Sequence, residues 1–226
     1  MSKLLHIDHL CIGYSKTLVS NVQAVFEPNE ISIVLGVNGS GKTTLLKTIA
    51  GLMSPLSGDI FYKGNSINVL TRKDLSTMIS FTLNSNVSAN ITVQEFLSFS
   101  NINQAYNQDN LNEIFDQFQV APFLHKHLHS ISDGQRQMVS IARCIVQNTP
   151  IVYLDEPTAF LDYKNVRNVM SMVQFYATSG KSFIINTHDR VWIEELERKK
   201  IYGISQCCFK NLTDRPNWDS LKNEFA

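Results

Sequence analysis

The chain has 226 residues, 43% of them hydrophobic, and its 20 basic and 20 acidic side chains cancel. That length suffices for one large α/β domain, or one domain carrying a subdomain, and the absent net field gives no reason to expect a nucleic-acid partner. No run of 18 apolar residues occurs and Asp8 interrupts the start where a leader needs an apolar stretch, so the reading is a cytoplasmic protein that does not itself cross a bilayer.

Residues 3–35 alternate apolar stretches with turn signals at Gly13 and Pro28-Asn29, the pattern of antiparallel strands. The last of them, Ile31 to Leu35, is apolar enough to be buried and runs into Gly36-Val-Asn38-Gly39-Ser40-Gly41-Lys42-Thr43, followed by helix-like Thr44 to Ala50. Strand, G-x-x-x-x-G-K-[ST] and helix in that order make a phosphate-binding loop. Backbone N–H groups from Asn38 to Thr44 turn toward phosphate oxygens, helped by the positive end of the helix. Lys42 reaches the β- and γ-phosphates, and the Thr43 hydroxyl is placed to ligate Mg²⁺. The chain is therefore expected to bind a nucleotide.

Pro55 and Ser57-Gly58-Asp59 close the first helix and lead to a short strand at Ile60 to Tyr62, while Thr71 to Asp74 reads as a helix start and Ile79 to Leu83 as a strand. From about Asn84 to Asn148 the pattern is mainly helical, with a capping box at Thr92 to Glu95 ahead of Phe96, Leu97 and Phe99. Leu111, Ile114, Phe115 and Phe118 recur at helical spacing and read as core. His125, His127 and His129 could share one strand face and hold a metal, but a polar linker accounts for them better. Cys11, Cys144, Cys207 and Cys208 lack C-x-x-C spacing and read as reduced thiols.

Ile151 to Leu154 is a hydrophobic strand that delivers Asp155 and Glu156 at its carboxyl end, where ligands sit in open α/β sheets. Asp155 suits Mg²⁺ and Glu156 the orientation of an attacking water. Upstream, Ser132-Asp-Gly134-Gln135 opens a helix through Met138, Ile141, Ala142 and Ile145, which makes a second anion site. Ser182 to Asn186 is a further strand, followed by His188. A helix from Trp192 to Glu197 then closes on Arg198-Lys199-Lys200, read as a solvated face, before a strand pair from Ile201 to Phe209 and a last helix near Trp218.

Taken with the phosphate loop, Ser132-Asp133-Gly134-Gln135 resembles the signature of ATP-binding cassette (ABC) proteins, with Ile131 for the commoner Leu and Asp133 for Gly. The resemblance covers nearly the whole chain. It implies an α/β P-loop NTPase of ABC type, residues 1–226 forming one domain. A core from 1–84 and 149–226, with a mixed or parallel sheet, flanking helices and an N-terminal antiparallel β-subdomain, would carry a helical subdomain at 85–148. By the same resemblance Tyr14 stacks on adenine, unless it is an ordinary half-buried strand aromatic. Ala159 to Asp162 matches the D-loop, His188 meets the γ-phosphate, and Asn84 stands where a glutamine senses Mg²⁺ and water, although Asn86 lies close by.

The family mechanism implies an ATPase with ATP and Mg²⁺, working as a homodimer across two ATP sites, where Ser132, Gly134 and Gln135 complete the γ-phosphate shell of the other copy. It also implies separate integral-membrane permease subunits that hold the chain on the inner face of the cell membrane, and indirectly a substrate-binding protein. Leu70 to Leu75, Ser132 to Gln137 and Gln147 to Asp162 resemble the ATPases of ferric-siderophore, haem and cobalamin importers. Another importer, an exporter, or a soluble ABC-type ATPase stands as the alternative.

Overall fold

The computed structural model describes residues 3–82, 90–100, 106–196, 199–214 and 221. The expectations placed on Asn84, Asn86, Arg198 and the helix near Trp218 lie outside the described residues. Among those described, ten strands follow one another as β1 (Leu5–Gly13), β2 (Thr17–Phe26), β3 (Ile31–Gly36), β4 (Ser57–Tyr62), β5 (Asn65–Ser66), β6 (Ile79–Phe81), β7 (Ile151–Asp155), β8 (Ser182–Thr187), β9 (Lys199–Ser205) and β10 (Cys208–Asn211). They form one sheet in the order β5-β4-β1-β2-β10-β9-β3-β8-β7-β6.

The sheet has two characters. β1 pairs antiparallel with both β2 and β4, and each of these strands mixes buried with exposed positions, as expected where one face is left partly to solvent. β3, β7 and β8 are buried at every residue and pair in parallel, β3 also with β9 and β7 also with β6. Parallel strands covered on both faces read as continuous apolar runs, which is why Ile31 to Leu35 and Ile151 to Leu154 were visible as strands. On β3, Ile31, Ile33 and Leu35 face one core, while Val34 belongs to another that includes Leu45, Leu46 and Ile49.

The helices are α1 (Lys42–Ile49), α2 (Arg72–Met78), α3 (Val93–Ser98), α4 (Gln108–Gln117), α5 (Asp133–Val146), α6 (Tyr163–Thr178) and α7 (Val191–Glu195). Capping boxes start α2 (Thr71 with Asp74), α3 (Thr92 with Glu95) and α5 (Ser132 with Gln135), each satisfying two backbone groups that a helix start leaves unpaired. Helix α5 buries Met138, Ile141, Ala142 and Ile145 and meets both α3 and α4; Leu111, Ile114, Phe115 and Phe118 are buried in the same core. Leu97 is buried too, whereas Phe99 is 68% exposed.

One local reading is corrected and another agrees with the structure. Lys199 and Lys200 do not close a helix: α7 ends at Glu195, and both lysines open β9, because pairing with Ile31 and Ser32 of β3 fixes their backbone. Lys200 Nζ is 2.7 Å from Glu30 Oε2, so it is an ion pair rather than a free charge. The segment with His125, His127 and His129 is the linker expected and not a metal-holding strand face. His127 makes a single bridge with Thr92 and then Leu128–Ser130 turns as a 3₁₀ helix, with the His127 and His129 rings stacked at 5.3 Å.

Candidate functional site

The loop after β3 is shaped by its own backbone. Ser40 N–H donates to Val37 O at 3.1 Å, and Gly41 caps α1 with φ of 103°. A Cβ at Gly41 would be strained by that φ and would sit 3.0 Å from Val19 Cγ2, so the glycine is required twice over. Lys42 is only 6% exposed, and its Nζ donates to Gly36 O (2.6 Å) and Val37 O (3.2 Å). Burial pulls this ammonium below the usual lysine value, against the opposing influence of Glu156 and then Asp155. Ser40 Oγ is buried and has no partner. A cation folded back onto its own loop beside an orphan hydroxyl fits a phosphate, which would give both groups a better acceptor or donor.

At the carboxyl end of β7, Asp155 is held from three sides. Thr43 Oγ1 donates to Asp155 Oδ2 at 2.9 Å, Asn186 Nδ2 donates to Oδ1 at 3.2 Å, and Asp155 N–H donates to Thr82 Oγ1 at 2.9 Å. A hydroxyl and a carboxylate oxygen side by side are the hard oxygen donors that Mg²⁺ takes, so the residues fit that ion. Glu156 then turns out of the strand with φ of 46°, a left-handed conformation that costs a non-glycine residue about 1–3 kcal/mol. Its N–H is anchored to Asn186 O at 2.9 Å. The turn aims the carboxylate: Oε1 lies 2.9 Å from His188 Nδ1 and 4.0 Å from Lys42 Nζ. A cleft of about 380 Å³ opens beside it, lined by Glu156, Thr158, Ala159, His188, Asp189 and Arg190.

Lys42, Thr43, Asp155, Glu156 and His188, named separately from sequence, are thus brought together. Thr44 is buried at the start of α1, Asn38 and Gly39 are exposed at the loop's tip, and Tyr14 lies just past β1 with 66% of its surface exposed. Tyr14 is therefore not a half-buried strand aromatic. Ser132, Gly134 and Gln135 are not brought to the loop. Among the described residues no hydrogen bond joins them to residues 36–43, and Ser132 and Gln135 bond to each other instead. Their helix is nevertheless packed against the segment after β7, since a Cβ on Gly134 would lie 2.8 Å from Phe160 O and Gln137 Nε2 donates to Glu156 O at 3.3 Å.

Thr82, Gln137 and Asn186 were missed from sequence. For Asn186 a signal existed: it is the one amide in a strand whose six residues are all buried. Thr82 and Gln137 act across long sequence separations and carry no comparable mark.

A family model described as ABC transporter matches residues 19–159. An uncharacterised ABC transporter ATP-binding protein of Haemophilus influenzae is 32% identical over 196 residues, 82% of this chain and 74% of that protein. The lipoprotein-releasing system ATP-binding protein LolD of Blochmanniella floridana is 30% identical over 208 residues, 88% of each. Among solved structures, an ATP-binding subunit of an ABC transporter superposes with a TM-score of 0.82 at 21% identity, covering 93% of this chain and 91% of that one. CbiO1 of Clostridium perfringens, part of the cbiONQ transporter complex, gives 0.75 at 24% identity, covering 93% and 88%. The chain belongs to the ABC transporter family, as an ATP-binding protein of the kind that takes its nucleotide with Mg²⁺.

Proposed function

We propose that this chain hydrolyses ATP and that two copies, arranged head to tail, couple hydrolysis to a separate membrane permease. The observation that carries this reading is the meeting of Glu156, His188 and Lys42 around one carboxylate oxygen, with Thr43 and Asp155 beside it. Bound Mg²⁺ would supply charge neutralisation on the phosphates and would be held by Thr43 and Asp155. Lys42 exchanges its loop carbonyls for phosphate oxygens. Glu156 takes a hydrogen bond from the attacking water and orients it in line, and His188 holds that carboxylate in place and reaches the γ-phosphate. Tyr14 offers its exposed ring to adenine. Asn84 serves as the shorter sensor of metal and water, and Asn84→Gln should keep or raise the rate that Asn84→Ala lowers.

That Ser132, Gly134 and Gln135 make no hydrogen bond to the chain's own phosphate loop among the described residues supports the dimer reading. A helix N-terminus with serine and bare glycine, not bonded to its own phosphate loop, suits the γ-phosphate held by a second copy. In this reading residues 85–148 form the signature subdomain and the remainder forms the core. With Glu156→Gln and MgATP, light scattering should show closed dimers that wild type forms only transiently; a mutant that binds MgATP and stays the size of the apo protein, alone and with its permease, rejects the arrangement.

A groove of about 570 Å³ between the two parts is lined by Leu52, Leu75, Phe81, Phe96, Phe99 and Arg143 among others. Leu52 and Phe99 are 52% and 68% exposed, an apolar opening that suits a helix of a permease. Among the described residues no helix is long and apolar enough to cross a membrane, and in this reading the permease holds the chain at the inner membrane face. For cargo the proposal is an iron chelate, on the three stretches that resemble importers of that class, delivered by a substrate-binding protein. The 30% identity to LolD favours a second reading, work on a lipid-anchored cargo in the membrane. Loss of chelate uptake in a strain lacking this chain decides for the first; normal uptake removes it.

A further inference from the structure

Asn186 is fully buried in β8, and its side chain has two unlike ends. Nδ2 donates to Asp155 Oδ1 at 3.2 Å, while Oδ1 is buried and has no partner. The assignment of the two ends is fixed by the neighbour, because the reverse orientation would set the amide oxygen against a carboxylate oxygen. A buried acceptor without a donor is unfavourable, and an apolar side chain of the same shape would remove that cost. The fold keeps the amide nonetheless, at the one strand position that faces the carboxylate beside Thr43.

We propose that Asn186 is a positioning residue for Mg²⁺, locking Asp155 so that Oδ2 stays free to face Thr43 and the metal. The inference rests on the nucleotide-site reading above. Asp155 Oδ2 faces Thr43 Oγ1 while Oδ1 is tethered to Asn186; without that tether the carboxylate is held on one side only and can rotate about its last bond, so that neither oxygen is fixed toward Thr43. Outer-shell partners of this kind commonly change metal affinity by about 10–100-fold when removed.

The test uses the full chain and two apolar replacements, Asn186→Leu, which matches the shape, and Asn186→Val, which suits a strand. Binding of a fluorescent ATP analogue is titrated with Mg²⁺ and repeated in EDTA, and apo melting is recorded. Both variants should need about 10-fold more Mg²⁺ for half-saturation, with metal-free nucleotide affinity unchanged; the apo melt checks only that each variant folds, because losing the orphan oxygen is favourable while leaving Asp155 Oδ1 without this donor is not. Mg²⁺ titrations that overlay wild type overturn the inference and leave the site reading intact. A parallel loss of metal-free affinity overturns it as well, since it marks a purely structural residue. A wild-type chain with no Mg²⁺-dependent binding at all removes the site reading itself.

Discussion

Glu156 Oε1 and His188 Nδ1 are 2.9 Å apart, joining the residue that follows β7 to the one that follows β8. The two strands are register neighbours, with Asp155 opposite Asn186, so the pair sits where adjacent strand ends release their chains. The glutamate is 20% exposed and the histidine 66%, so the imidazole is the solvent-facing member of the pair.

Replacing His188 with alanine should therefore separate catalysis from stability. An exposed pair of this sort contributes at most about 1 kcal/mol to folding, so the melting temperature should barely move. Loss of the group that holds the Glu156 general base should lower kcat by about 10²–10⁴-fold, with MgATP binding retained. A steady-state assay alongside a thermal melt checks both; a variant that keeps its turnover excludes His188 from the reaction.

Gly134 carries a second prediction. A Cβ at this position would stand 2.8 Å from Phe160 O, a backbone atom in a loop where Phe160 itself has φ of 64°. Neither side yields easily, so Gly134→Ala should cost about 1–3 kcal/mol by overpacking and displace the loop after Glu156. Urea unfolding measures the first effect. The second should appear as weaker MgATP-dependent dimerisation with nucleotide binding by the single chain preserved.

Much of this site was legible because its parts are local. The loop from Gly36 to Thr43 and the acidic pair at 155 and 156 each follow a continuous apolar strand, and strand identity needs only a short window of sequence. The capping box at Thr92 spans four residues and was equally visible, while Thr71 and Ser132 were legible only as helix starts and their boxes with Asp74 and Gln135 came from the structure. What escaped was set by distance in the chain. β10 inserts between β2 and β9, touching β2 through Cys208 and Ser20, and no local pattern announces that neighbour. Lys199 and Lys200 looked like the end of a helix because their charge suits one, but the ladder to β3 decided otherwise. Thr82 and Gln137 reach their partners across 73 and 19 residues, so only the folded chain reveals them.

Lys42 allows a test in which loss of function need not mean loss of fold. Its ammonium is buried against two carbonyl oxygens with Glu156 at 4.0 Å, a poor exchange for water that burial registers by lowering its proton affinity. In Lys42→Ala the apo melting temperature should hold or rise. MgATP at about 100 times its dissociation constant should stabilise wild type by about 2.7 kcal/mol, and that gain should vanish in the variant. A differential scan with and without nucleotide reads both quantities, and an undiminished ligand shift would place the phosphates elsewhere.

Lys181 sits at the opposite, amino-terminal end of β8, and its effect should be on stability alone. It is 8% exposed, donates to Asn148 Oδ1 at 2.7 Å and Thr149 O at 3.3 Å, and has no ion-pair partner among the described residues. Burial pulls its proton affinity down to about 8 from an ordinary 10.5. Below pH 8 both folded and unfolded chains hold the proton, and the folded state bears the full cost of a desolvated cation. Between pH 8 and 10.5 the unfolded chain binds more protons than the folded one, so this lysine makes stability rise with pH across that window. Lys42 and Lys199 are also lowered by burial and act in the same direction, so the wild-type curve alone does not isolate the effect. Subtracting the curve of Lys181→Met does. The unfolding free energy of wild type minus that of the variant, from urea melts at several pH values, should climb from pH 8 and level off near 10.5. A flat difference would mean that the ammonium is better solvated than its burial implies, for then no proton would be released on folding.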